Sequence, residues 1–180
     1  RDGSSDVCSS DLCLRAEETA EDPVKATIVA NAEGLSADTP AKVGVLLKLQ
    51  PSWHVYWKNP GESGYATAIQ WSGPEGVTFG ETQYPLPIVF DSPGPVKSFG
   101  YEKEVLLFAD VKLGGTAAKA REVEIVAKAK WLMCSNDQCI PGKAELKIKL
   151  PVGEVKPANA AVFDKYGKNV PKAGEVEGLT

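Results

Sequence analysis

Alternation of apolar and polar residues dominates the chain after residue 24 and strongly limits what it can fold into. The clearest stretch is REVEIVAKAKW (121–131), in which every second residue from Val123 to Trp131 is apolar. Successive side chains of a β-strand point to opposite faces, so this period gives a strand one buried and one solvated face. Such strands must cover their apolar faces with another sheet, and the pattern therefore predicts an all-β protein.

Glycine and proline clusters separate the alternating segments, for example in NPGESG (59–64), SGPEG (72–76) and SPGPV (92–96). Many short strands joined by such turns predict an antiparallel β-sandwich. One short helix is expected near the C-terminal end, in AAVFDKYGKN (160–169). We expect Asn159 to cap it, with Val162 and Tyr166 on one side.

Composition excludes several classes of function. The net charge of −4 and the isoelectric point near 5.2 argue against binding to nucleic acid. A single histidine rules out a multi-histidine metal site or a histidine relay. No apolar run approaches the length needed to span a bilayer, so a membrane role would need a partner or a segment outside this sequence.

Two cysteines in WLMCSNDQCIPG (131–142) are the main candidates for chemistry. The turn SNDQ (135–138) would place Cys134 and Cys139 opposite each other in an antiparallel hairpin, with Cα atoms about 4.5–5.5 Å apart. That spacing suits a disulfide. Three interpretations stay open: a structural staple, a zinc site that also uses Cys8 and Cys13, and a redox-active pair, which we favour because so small a loop gains only about 2 kcal/mol from a staple.

Three motifs in a fixed order resemble a known family. WLMCSNDQCIPG follows PSWHVYWKNPGESG (51–64) and SFGYEKEVLLFADV (98–111), and together they resemble the N-terminal periplasmic domain of the thiol:disulfide interchange protein DsbD and its ScsB relatives. The resemblance implies an immunoglobulin-like antiparallel β-sandwich. It also implies a periplasmic part of a protein-disulfide reductase, with a link to cytochrome c biogenesis. No cofactor beyond the cysteines is implied, and no metal.

The resemblance also assigns roles to residues. It implies that Cys134 and Cys139 form the redox pair and that Cys139 is attacked in mixed disulfides. A thioredoxin-like domain or protein would be the electron donor, linked to a membrane-embedded domain, and oxidised periplasmic thiol proteins would be the acceptors. The segment from Asp91 to Tyr101 aligns with a loop that caps the pair. The implied cap and floor residues are Tyr56, Phe99, Tyr101 and Glu102.

The strand WHVYW (53–57) supports Tyr56 independently, because its alternation puts Trp53 and Trp57 on one face and His54 and Tyr56 on the other. We expect both tryptophans in the core. His54 is expected to be a surface or hydrogen-bonding residue and not a catalyst.

The domain boundaries follow from these patterns. Residues 23–155 are the expected redox domain, and residues 156–180 a short helix and linker. Residues 1–22 are expected to be a leader outside the fold: RDGSSDVCSSDL (1–12) resembles translated sequencing adapter, and a signal-peptide stub follows it. The alternative function is a sandwich-type binding module whose hairpin disulfide is purely structural.

Overall fold

The computed structural model describes residues 22–91 and 96–171 of the chain. These residues form two antiparallel sheets and one short α-helix, which confirms the predicted sandwich. The strands are β1 (Val24–Ala30), β2 (Ala41–Leu49), β3 (His54–Gly61), β4 (Ala68–Ser72), β5 (Val77–Phe79), β6 (Ile88–Asp91), β7 (Lys97–Glu102), β8 (Glu104–Leu113), β9 (Glu122–Cys134) and β10 (Cys139–Pro151). The helix is α1 (Ala160–Gly167), and a 3₁₀ turn spans Ala117–Lys119.

The first sheet has the strand order β1-β2-β8-β5. The second has the order β10-β9-β3-β7-β6, and β4 pairs with another part of β9. This second sheet contains both cysteines of the hairpin, as well as β3 and β7. Its strand order places the cysteine hairpin, β3 of the second motif and β7, the first part of the third motif, next to one another.

The core lies between the two sheets and is built from the alternating apolar residues. The predicted inward faces of β2 and β9 are confirmed, since their apolar residues are at most 9% exposed. These residues are Val43, Val45, Leu47, Leu49, Val123, Ile125, Ala127, Ala129 and Trp131. Trp53 and Trp57 are partly buried and pack against the same core.

Strand β8 is buried on both faces, which its alternation alone does not predict. Leu106 and Phe108 are no more exposed than their inward-facing neighbours. Helix α1 lies against β8, and the Phe163 ring meets the Phe108 ring edge-on with centroids 5.8 Å apart. The helix therefore gives the first sheet a second apolar contact.

The start of α1 differs from the expectation for Asn159. Its side chain makes no capping hydrogen bond; it donates instead to the Ala30 carbonyl oxygen at 2.9 Å. Asn159 adopts a left-handed backbone with φ of 51°, which asparagine tolerates better than most residues. The buried residues of the helix are Phe163 and Tyr166, with Val162 only partly buried. Asn159 thus ties the helix to β1.

The segment before the helix also joins the sandwich. The Glu33 amide donates to the Lys156 carbonyl and the Ala158 amide to the Asn31 carbonyl. The expected leader with Cys8 and Cys13, and the end of the expected linker, lie outside the described residues. In the described part of the chain, no helix is long and apolar enough to cross a membrane.

Replacing Phe163 tests whether α1 is an integral part of the domain. Phe163→Ala should lower the free energy of unfolding by about 3–5 kcal/mol, because it removes a buried aromatic ring. The matched control is Asp164→Ala on the exposed side of the same helix, for which we expect a change within about 0.5 kcal/mol. Urea unfolding measures both. Equal effects of the two variants would show that the helix contributes little to stability.

Candidate active site

The cysteine hairpin forms as predicted, although its two cysteines lie slightly closer together than the expected distance of about 4.5–5.5 Å. Strands β9 and β10 pair from Cys134–Cys139 at the turn to Glu122–Pro151 at the far end. The turn closes with a hydrogen bond from the Ser135 amide to the Gln138 carbonyl at 2.8 Å. The two Cα atoms are 4.1 Å apart and the sulfurs form a disulfide, which confirms that the pair bridges.

The two cysteines differ strongly in exposure. Cys134 is only 2% exposed, whereas Cys139 is an exposed residue. A zinc site would also need Cys8 and Cys13, which lie outside the described residues. The sulfurs of Cys134 and Cys139 are bonded to each other in the disulfide. Because access is one determinant of exchange rate, the exposed Cys139 is the more accessible residue of the pair.

Tyr56 lies beside the buried sulfur. Its hydroxyl donates a hydrogen bond to Cys134 Sγ at 3.3 Å, and the side chain is 5% exposed. Burial raises the pKa of Tyr56 above its ordinary value, while a hydrogen bond with Ser63 lowers it to a smaller extent. The hydroxyl thus keeps its proton at neutral pH and remains a donor to sulfur.

His54 lies next to Tyr56 on the same face of β3. Its Nε2 is 3.4 Å from the Tyr56 hydroxyl, and its ring stacks on Phe90 with centroids 4.5 Å apart. In the sheet it is paired with Cys134 on one side and Glu102 on the other. Burial lowers the pKa of His54, and the charge of Glu102 opposes that shift. The prediction of a hydrogen-bonding residue is confirmed.

The loop after β3 covers the Tyr56 ring. Gly64 has a φ of +92°, and a Cβ placed there would lie 2.3 Å from Tyr56 Cε1. Only glycine combines that backbone conformation with so close an approach to the ring. The turn predicted at NPGESG therefore also covers Tyr56, the residue that contacts the buried sulfur.

Tyr101 and Phe99 are placed differently from the expectation that they lie near the sulfurs. Tyr101 pairs with Val55 in the core face of the sheet, and its hydroxyl donates to the Pro85 carbonyl at 2.8 Å. Phe99, two residues before Tyr101 on β7, lies on the same face of the strand and packs near Gly61. Cys134 has the opposite parity to core residue Met133, so the sulfur lies on the other face. A cap role for Phe99 and Tyr101 stays a prediction.

The expected cap lies partly outside the described residues, which omit 92–95. Its flanks form the hairpin of β6 and β7 at the edge of the sheet. Phe90, which this hairpin places against His54, was not among the predicted site residues. Strand parity could have identified it, because Phe90 pairs with Ser98 and so shares a face with Glu102, which lies four residues along β7.

Replacing Gly64 tests whether the loop must contact Tyr56. Gly64→Ala should destabilise the protein by more than about 1 kcal/mol, because alanine strains the backbone and clashes with the ring. Gly115→Ala is the control: Gly115 also has a positive φ, of 51°, but a Cβ there would meet nothing within 4 Å. Thermal and urea unfolding give the two losses. Similar losses would mean that the close approach to Tyr56 is unimportant.

The lowered pKa of His54 predicts a dependence of stability on pH. The unfolded state, with an ordinary histidine pKa near 6.5, takes up a proton before the folded state does. The stability that His54 contributes is thus fully present above about pH 6.5 and is lost as the pH falls below it.

The measurement compares wild type with His54→Gln in urea at about pH 7.5 and pH 5.5. His54 is the only histidine in the chain, so the difference between the two proteins isolates its titration. Wild type should lose stability relative to His54→Gln as the pH falls. A constant difference, or a relative gain by wild type, would contradict the shift.

Comparison with known proteins agrees with the motifs. The family model described as "Thiol:disulfide interchange protein DsbD, N-terminal" matches residues 18–151. Among solved structures, the N-terminal periplasmic domain of ScsB from Proteus mirabilis is 28% identical, with a TM-score of 0.51. That match covers 80% of this chain but only 53% of the ScsB chain.

The N-terminal domain of Neisseria meningitidis DsbD, in the reduced form, matches less closely. It is 12% identical with a TM-score of 0.41, over 74% of this chain and 90% of that one. No significant match was found among the curated proteins. The family model nevertheless spans most of the sequence, including all three motifs and both cysteines of the hairpin. The chain therefore belongs to the family of DsbD N-terminal domains.

Proposed function

We propose that this chain is a periplasmic thiol–disulfide exchange domain. In this proposal it takes two electrons from a membrane-linked thioredoxin-like donor and passes them to oxidised periplasmic thiol proteins, those of cytochrome c biogenesis among them. Family membership and the Cys134–Cys139 disulfide support exchange chemistry. The observation that carries the proposal is the unequal exposure of the two cysteines, with Cys139 exposed and Cys134 buried.

The exchange has two steps. A donor thiolate attacks Cys139 Sγ, a new S–S bond forms, and the electron pair of the old bond stays on Cys134. The second donor thiol, as thiolate, then attacks the donor's own sulfur in the mixed disulfide and releases Cys139. Two protons end on the cysteines, the domain becomes a dithiol, and the donor becomes a disulfide. Delivery to an acceptor is the reverse sequence on a new partner.

Tyr56 has a defined part in this chemistry. When the S–S bond breaks, negative charge appears on Cys134 Sγ, the atom to which the Tyr56 hydroxyl already donates at 3.3 Å. Hydrogen bonds to a charged acceptor are stronger than those to a neutral one. Tyr56 therefore stabilises the leaving thiolate more than the starting disulfide, and this difference lowers the barrier.

A purely structural disulfide is the competing function. A bridge across so short a turn contributes only about 2 kcal/mol in the chain-entropy model, and the thirteen-residue strands on either side already pair throughout. A structural bridge would also have no need for an exposed cysteine. The reduction potential separates the two functions, because structural disulfides lie below about −300 mV and exchange-active ones above it.

The domain and its cap complete the proposal. We assign exchange to residues 23–155 and a covering role to the β6–β7 hairpin. Of its proposed cap residues, Glu102 lies on the face of the disulfide, and Phe99 and Tyr101 lie on the opposite face of β7, where they would support the hairpin. Support comes from Phe90 of this hairpin, which contacts His54 beside the disulfide. Opening of the cap by the proper partner would restrict exchange to that partner.

Single-cysteine variants test which sulfur is attacked. Cys134→Ser and Cys139→Ser are each combined with Cys8→Ser and Cys13→Ser, so that one thiol remains in the chain. The probe is a thioredoxin-like domain that lacks its resolving cysteine and carries a thionitrobenzoate mixed disulfide. Cys134→Ser, which keeps the exposed Cys139, should react at least about tenfold faster, since access limits the buried Cys134. The release of thionitrobenzoate measures the rate.

Two outcomes would contradict the proposal. Equal or faster reaction of the Cys139→Ser variant would reverse the assignment of the attacked sulfur. A wild-type potential below about −300 mV, with no reduction by the thioredoxin-like domain, would favour the structural disulfide. Reduction of the wild-type disulfide by glutathione serves as the reference, because its rate reports access to the sulfur without specific docking of a protein partner.

A further inference from the structure

Four side chains form one row across the outer face of the second sheet. Cys139 pairs with Cys134, Cys134 pairs with His54, and His54 pairs with Glu102, on four consecutive strands. Paired residues of antiparallel strands share a face and lie within contact distance. His54 is therefore directly adjacent to Cys134. Neither the motifs nor the exchange mechanism above assigns His54 a role.

A hydrogen-bonded chain leads from His54 to that sulfur. The Tyr56 hydroxyl has one proton, and it donates that proton to Cys134 Sγ. In the tautomer that carries its proton on Nε2, His54 donates to the Tyr56 hydroxyl oxygen across this 3.4 Å contact. The order of donation in that tautomer is His54 to Tyr56 to Cys134.

The His54 ring is held in place from two sides. It stacks on Phe90 with an interplanar angle of 30° and meets the Tyr56 ring edge-on at 5.2 Å. Phe90 in turn lies over Gly100, where a Cβ would come 3.1 Å from Phe90 Cε2. The glycine allows the ring to lie close to the strand, so the position of the imidazole is set by packing.

We propose that His54 is a positioning residue for disulfide exchange, which acts through Tyr56. Its Nε2–H orients the Tyr56 hydroxyl toward Cys134 Sγ, so that Cys134 leaves when Cys139 is attacked. No extra reactant is needed: the S–S electron pair moves to Cys134 and the hydrogen bond from Tyr56 shortens onto it. The inference rests on the proposed function for the choice of the attacked sulfur.

A double-mutant cycle tests the coupling. The rate of disulfide reduction by dithiothreitol is measured at one neutral pH by alkylation and mass shift. Tyr56→Phe should slow reduction about tenfold, the loss of one hydrogen bond to a charged sulfur. His54→Phe keeps an aromatic ring against Phe90 and should slow it about three- to tenfold. The double variant should be no slower than Tyr56→Phe alone, because His54 acts only through that hydroxyl.

Rescue separates positioning from packing. His54→Gln places an amide N–H where Nε2–H was but removes the ring, and it should recover most of the wild-type rate. Lys130→Gln, an exposed residue on the same face of β9, is the control and should leave the rate unchanged. The proposal is overturned if the double variant shows the product of the two single effects, or if His54→Gln is as slow as His54→Phe.

The choice of reductant keeps this test apart from that of the proposed function. Dithiothreitol reduces any accessible disulfide, so the cycle reports on His54 whether or not a thioredoxin-like domain is the donor. Failure of the donor domain to reduce wild type, with the cycle as expected, would remove the proposed donor and leave the role of His54. Additive effects in the cycle, with rapid reduction by the donor domain, would remove the role of His54 and leave the proposed donor.

Discussion

The register of the β9–β10 hairpin is the constraint on which the rest of the site depends. Side chains alternate between faces with a period of two, so a slip of one residue would turn every side chain of β9 to the wrong face. Met133 and Trp131 would then leave the core, and Cys134 would enter it. Burial of the apolar set therefore fixes the position of the disulfide, and the polar turn SNDQ closes the hairpin at that register.

The same alternation lets one strand serve stability and chemistry together. In β3, Val55 is fully buried in the core while His54 and Tyr56 face the disulfide. In β9, Met133 packs inward and Cys134 outward. Because each functional side chain has a core residue as its neighbour, the positions of the sulfur and its hydrogen-bond donor are set by packed strands. Rigid placement of this kind is what a hydrogen bond to a developing charge requires.

The sequence predicts the local part of this arrangement and not the non-local part. The hairpin, its strands and the inward faces follow from a period that can be counted within a few residues of each cysteine. The pairing of β3 with β9 joins residues 78 positions apart, as in the bond from Tyr56 to Cys134, and no local pattern specifies it. The motif resemblance supplied Tyr56 and Tyr101, but it does not specify the face of the strand, and Tyr101 lies on the core face with its hydroxyl bonded to the Pro85 carbonyl. Asn159 shows the same limit, since its bond to Ala30 spans 129 positions.

The hydrogen bond that reaches the disulfide is made to Cys134, and its source follows from the position of the disulfide in a sheet. A redox cysteine at a helix N-terminus is stabilised as a thiolate by the helix dipole, but α1, the α-helix of the described residues, lies against β8 in the other sheet. Stabilisation of a thiolate must then come from individual donors, and the Tyr56 hydroxyl reaches Cys134. The exposed Cys139 is left to the solvent and to the incoming partner. In the proposed mechanism, burial and hydrogen bonding therefore favour the same direction of bond cleavage: the partner attacks the exposed Cys139, and the hydrogen-bonded Cys134 is the sulfur that leaves.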